Sequence, residues 1–144
     1  MYQTILVPLD GSTRAESILP YVEKQALQFK SKVIFLQVWT VHEAIISHAN
    51  DYILDYTQKK EEISEYLASI QAGFQKKGIE SIFVVEMGDA VETILSVAQR
   101  ENADLIAIAS HGRSGLPRVF YGSVAAGIMQ KIDRPMLVIR SRNI

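Results

Sequence analysis

Two stretches of the chain hold residue types that handle anions. The first is Asp10-Gly11-Ser12, directly after the apolar run Ile5-Leu6-Val7-Pro8-Leu9. The second runs from Ala109 to Ser123 and includes Ser110-His111-Gly112-Arg113, Gly115, Arg118 and Gly122-Ser123. Glycine has no Cβ, so its backbone amide can approach an anion closely. Gly122-Ser123 stands immediately before a stripe of helical period, and a helix N-terminus offers free N–H groups and a positive dipole suited to phosphate. Arg113 and Arg118 would add countercharge. The same glycines also suit a long connecting loop that has to turn, and spacing alone leaves both readings open. Neither the Walker pattern G-x-x-x-x-G-K-[ST] nor the dinucleotide pattern G-x-G-x-x-G occurs in the chain.

Individual polar residues carry similar alternatives. Asp10 before Gly11-Ser12 suits an Asx-turn or a helix cap as well as a ligand. Ser123 is a good N-cap with or without a ligand. His111 suits hydrogen bonding within its loop as well as contact with a phosphate. Nucleophilic hydrolysis needs a hydroxyl beside a base and an orienting carboxylate, and the adjacency of Ser110 and His111 says little about such geometry. His42, His48 and His111 lack metal-ligand spacing. Trp39, the only tryptophan, suits the roof of a pocket or packing under the loop after the second strand.

These residues must be positioned by the rest of a 144-residue chain, a length that fits one domain. Hydrophobic residues make up 48% and charged residues 22%, a globular balance. Fifteen Lys and Arg against sixteen Asp and Glu give a net charge of -1, which argues against nucleic-acid or acidic-membrane partners. The absence of cysteine excludes a disulfide scaffold and thiol chemistry and is compatible with the cytoplasm. The amino terminus does not read as a secretory signal, and no apolar run approaches the roughly 18 residues of a membrane span.

Five short apolar runs read as strands: Ile5 to Leu9, Val33 to Trp39, Ser81 to Val85, Leu105 to Ala109 and Met136 to Ile139. Their continuous hydrophobicity suits a parallel sheet covered on both faces. Between them lie stripes of helical period: Leu19, Val22, Ala26, Phe29; Ile63, Leu67, Ile70, Phe74; Val91, Ile94, Leu95, Ala98; and Val124, Ile128, Met129, Ile132. Asp89-x-x-Glu92 resembles a capping box, and Lys76-Lys77-Gly78 reads as a helix C-terminus. Pro20 either kinks a helix begun near Ser12 or falls just inside a later start. Lys59-Lys60-Glu61-Glu62 reads as a solvated helix face. Thr40 to Tyr56 lacks a clear period and reads as a loop. Alternating strands and helices predict a doubly wound α/β domain, in which ligands sit beyond the carboxyl ends of the strands at the switch in strand order.

The pairing of Pro8-Leu9-Asp10-Gly11-Ser12 with Ser110-His111-Gly112, nine residues, then Gly122-Ser123 resembles the universal stress protein family from about Ile5 to Arg140, effectively the whole chain, which reads as one domain of residues 1–144. The ATP-binding pattern of that family is G-x2-G-x9-G-[ST]. Gly112, Gly122 and Ser123 match it, and Ala109 replaces its first glycine. The resemblance implies a single Rossmann-like α/β domain with a five-stranded parallel sheet in the order 3-2-1-4-5. It implies that Pro8 and Asp10 serve the adenosine end, that Val38 lines the adenine pocket, and that Ala109, His111, Gly112, Arg113, Gly122 and Ser123 surround ribose and phosphates. ATP is the implied cofactor, with Mg²⁺ arriving on the phosphates and hydrolysis slow at most. A cytoplasmic, nucleotide-responsive stress module follows, with a protein partner of unknown identity and a homodimer formed through strand 136–140. Gln37 stands where relatives often carry histidine. The alternatives are a nucleotide hydrolase or adenylyl-handling enzyme on the same scaffold, and a homodimeric interaction protein that binds no nucleotide.

Overall fold

The computed structural model describes residues 1–40, 52–110 and 122–141, the side chains of 52–55 excepted. Five parallel strands form one sheet: β1 (Thr4–Pro8), β2 (Lys32–Thr40), β3 (Ser81–Gly88), β4 (Leu105–Ser110) and β5 (Met136–Arg140). Their order is β3-β2-β1-β4-β5, so the two halves of the sheet are wound outward from β1 and β4. β1 stays paired with β2 as far as Pro8 opposite Leu36, and the Leu9 amide continues the ladder to the Leu36 carbonyl at 2.8 Å. Against β4 its residue pairing covers only Ile5 with Leu105 and Leu6 with Ile106. The two central strands therefore part early, and a crevice opens at their carboxyl ends.

Successive strand residues face opposite sides of a sheet, and here both sides are apolar. Ile5, Val7, Val33, Phe35 and Trp39 pack beneath α1 (Thr13–Glu16), α2 (Leu19–Phe29) and α3 (Tyr52–Lys76). Leu6, Ile34, Leu36, Ile106 and Ile108 pack beneath α4 (Ala90–Arg100) and α5 (Gly122–Lys131). The helical stripes mostly supply the matching surfaces: Val22, Ala26, Ile63, Leu67, Phe74, Ile94 and Ala98 are all buried. Met129 is the exception, at 44% exposure. Ala125, three residues before Ile128, takes the core position, and Met129 falls outside the arc the helix buries.

The helix ends also sharpen the sequence reading. Pro20 sits in the first turn of α2, after a separate short α1, where its missing N–H breaks no intrahelical bond. α3 begins at Tyr52, inside the stretch expected to be a loop. Its other end closes on Gly78 at a φ of +81°, with the Gly78 amide on the Gln75 carbonyl and the Ile79 amide on that of Phe74. Asp89 caps α4 by accepting from the Glu92 amide at 3.0 Å. Only that half of the capping box forms among the described residues; Oε2 of the Glu92 carboxylate accepts from Lys131 Nζ on α5. Among the described residues no helix is long and apolar enough to cross a membrane.

The second α4–α5 contact is steric. A Cβ added to Gly127 would lie 2.7 Å from Val91 Cγ2. Val91 is β-branched and has little rotamer freedom in a helix. Gly127→Ala should therefore destabilise the fold by about 1 kcal/mol, because overpacking of roughly 1–3 kcal/mol outweighs the gain of about 1 kcal/mol in helix propensity. Urea unfolding checks the sign; an alanine variant more stable than wild type would show that the α4–α5 spacing is not fixed by this glycine.

Candidate functional site

A cavity of about 210 Å³ occupies the crevice where β1 and β4 part. Pro8, Leu9 and Asp10 line it from the end of β1, and Leu36, Val38 and Thr40 from β2. Arg14 and Ala15 come from α1, Ala90 and Ile94 from α4, Ile108 and Ala109 from β4, and Gly122 to Ala125 from the first turn of α5. Of the residues singled out from sequence, Pro8, Asp10, Val38, Ala109, Gly122 and Ser123 thus share one cavity. His111, Gly112 and Arg113, with Arg118, His42 and His48, lie outside the described residues.

The walls differ in character. Leu36, Val38 and Ile94 give an apolar side suited to a flat, weakly polar group. Gly122 opens α5 at a φ of +70°, a left-handed conformation that glycine adopts without steric penalty. It places the start of a ten-residue helix on the cavity. Free amides and the helix dipole make that wall favourable for negative charge.

Asp10 is held by its own neighbours. Oδ1 accepts from the Ser12 amide at 2.9 Å and from Ser12 Oγ at 2.6 Å, an Asx-turn. Oδ2 accepts from Arg14 Nη2 at 2.9 Å. Capping of α1 belongs to Ser12, whose Oγ accepts from the Ala15 amide at 3.1 Å. The carboxylate remains 53% exposed and faces the cavity mouth. Arg14 and Thr40 carry no motif in the sequence. The i,i+4 spacing of Asp10 and Arg14 was the available signal for the first, and Thr40 fell where the periodicity ran out.

A second contact fixes α1 from behind. Glu16 Oε2 accepts from the Tyr66 hydroxyl of α3 at 2.6 Å. Burial pushes the Tyr66 phenol well above its usual range, and the Glu16 hydrogen bond and the charges of Glu16 and Asp10 push it the same way.

The remaining polar residues are engaged elsewhere. Ser110 is 1% exposed and its Oγ donates to the Ile139 carbonyl at 3.3 Å, a link between β4 and β5 rather than a poised nucleophile. Trp39 lies in the core layer opposite Val38 and stacks on Tyr56, with ring centroids 5.5 Å apart and 12° between planes. It neither roofs the cavity nor lines it. Gln37 is absent from the cavity wall, and its Oε1 is buried without a partner among the described residues. Those residues also contain no group of three or more His, Cys, Asp or Glu able to hold a metal ion.

The fold and the crevice define an open, doubly wound α/β protein with its cleft at the switch point. The universal stress protein family model matches residues 1–140, and the chain belongs to that family. It is 25% identical to universal stress protein MJ0577 of Methanocaldococcus jannaschii, over 99% of this chain and 98% of that protein. The solved MJ0577 structure superposes with a TM-score of 0.84 at 28% identity, over 100% of this chain and 99% of that one. A universal stress protein from Archaeoglobus fulgidus, solved in complex with dAMP, shares the fold at a TM-score of 0.67 and 20% identity, covering 96% and 98% of the two chains. A universal stress protein solved in complex with cAMP shares the fold at a TM-score of 0.71 and 19% identity, covering 96% of each chain.

The Tyr66 contact yields a test of how α1 is held. Tyr66→Phe should lower stability by about 1 kcal/mol, the usual worth of one hydrogen bond. Because the folded-state pKa of the phenol is raised, the wild-type advantage should be complete below about pH 10 and shrink as the pH rises above it. Paired urea titrations at neutral and alkaline pH check this; equal stability at neutral pH would mean that the bond holds nothing in place.

Proposed function

We propose that the chain is an adenine-nucleotide-binding stress module that takes ATP into the β1/β4 crevice. The observation that carries this reading is the cavity itself. It joins an apolar wall for a base, a carboxylate at its mouth for sugar hydroxyls, and a glycine-led helix start for phosphate. Adenine nucleotides in the dAMP and cAMP complexes of two relatives support the ligand class. In this reading Pro8, Asp10 and Val38 hold the nucleoside, and Gly122 and Ser123 hold phosphate with His111, Gly112 and Arg113. Ala109 is 5% exposed and packs in the α1–α3 layer, so its methyl is largely absorbed by the core. When bound, Mg²⁺ would supply countercharge on the phosphates. Bound nucleotide would change the surface that the site presents to a cytoplasmic protein partner.

Mass spectrometry of heat-denatured, freshly purified protein should find adenine nucleotide, and calorimetry should show ATP binding. Val38→Phe would place a ring in the cavity and should weaken ATP at least tenfold with the fold retained. Unchanged affinity would move the site away from this crevice.

The same reading includes a homodimer through β5, which lies at the sheet edge. Met136 to Ile139 are half-buried and apolar. The Ile106 amide bonds the Pro135 carbonyl, and the Ser141 amide bonds that of Ser110. In the regular alternation between these bonds, Leu137 and Ile139 pair inward and the Val138 N–H faces the open edge. Arg134 does not guard that edge: its Nη1 donates to the Ala98 and Ala103 carbonyls at 3.0 and 2.8 Å. Val138→Pro removes an outward donor and spares the β4–β5 ladder. Sedimentation should show a wild-type dimer at tens of micromolar and a folded, largely monomeric Val138→Pro. Monomeric wild type would refute the dimer, and a dimer indifferent to proline would place the interface elsewhere.

A further inference from the structure

We infer that Arg14 sets the preference of the crevice for polyphosphate-bearing over uncharged adenine ligands. This rests on the crevice being the nucleotide site, and it concerns a residue outside the glycine pattern. Arg14 is the only cationic side chain lining the cavity among the described residues. Its guanidinium bears five N–H donors. Only Nη2 is engaged, on Asp10, and Nε and Nη1 have no acceptor among the described residues. Its side chain is 29% exposed and lines the cavity.

The charge arithmetic gives this placement its consequence. Asp10 alone would put a full negative charge on the cavity wall, where it would repel the phosphates of a bound nucleotide. Arg14 cancels that charge. A ligand whose hydroxyls satisfy Asp10 also relieves Nη2, leaving a planar fork of donors beside the entrance, a geometry that suits phosphate oxygens. The arm that carries it is rigid at both ends: Ser12 caps α1, and Glu16 is tied to Tyr66. An uncharged nucleoside meets Asp10 with the same hydroxyls and gains nothing from this cation.

The test compares ATP and adenosine affinities by calorimetry at one salt concentration, in wild type, Arg14→Gln and Arg14→Lys. Arg14→Gln should lower the ATP-to-adenosine affinity ratio about tenfold, the worth of one charge-assisted hydrogen bond. Arg14→Lys should keep the ratio within about threefold of wild type, since a point charge remains. Melting temperatures of the free proteins establish that α1 is intact. A ratio unchanged in Arg14→Gln, or parallel loss of both ligands, would overturn the role assigned to Arg14 while leaving the crevice as the nucleotide site. Wild type binding neither ligand would overturn the nucleotide reading and this inference with it.

Discussion

The early separation of β1 from β4 is the constraint from which the rest of the site follows. Two residue pairs hold these strands together before their chains leave for opposite faces of the sheet. β1 passes to α1 and α2 on one side, and α5 covers the other. A sheet wound in one direction throughout would have no such gap. The apolar cores on both faces fix the strands firmly enough for the gap to persist as a shaped cavity.

Local chemistry then furnishes that gap from very few residues. Within five positions, Asp10 closes an Asx-turn, Ser12 caps a one-turn helix, and Arg14 returns to Asp10. The turn that reverses the chain after β1 is thereby also the polar rim of the cavity. The stability of the turn and the charge of the rim are consequently one property, and substitution at any of the three side chains alters both. Tyr66 extends the dependence to α3, on the face of the sheet away from the cavity.

Much of this architecture was legible in the residue pattern. Continuous runs such as Val33 to Leu36 left no solvent face, so a buried parallel sheet was the economical reading, and Ile63, Leu67 and Phe74 fell where a core stripe should. Asp10, Gly122 and Ser123 were legible as residue types that handle anions, but Pro8 and Val38, and the union of all of these with Ala109 in one crevice, came only from a family resemblance that supplied the strand order; periodicity alone does not place β1 beside β4. Arg14, Thr40 and Ile94 belong to the same cavity, and only three-dimensional adjacency brings them there. Met129 was misplaced for a simpler reason. A stripe defined by apolar letters cannot distinguish a methionine on the margin from an alanine at the centre, since Ala125 is small enough to be overlooked and small enough to sit against the sheet. Half of the expected capping box did not form, and the Glu92 carboxylate instead meets a lysine on another helix, a tertiary contact that local sequence does not show.

The stacked pair of Trp39 and Tyr56 gives the molecule a built-in optical asymmetry. The chain has one indole, 4% exposed, in the layer beneath α3 and turned away from the crevice. Its emission is governed by the integrity of that layer and by its aromatic neighbour, whereas among the described residues no aromatic side chain lines the cavity. Intrinsic fluorescence therefore follows the docking of α3 on the sheet. Occupancy of the crevice, by contrast, needs a signal carried by the ligand.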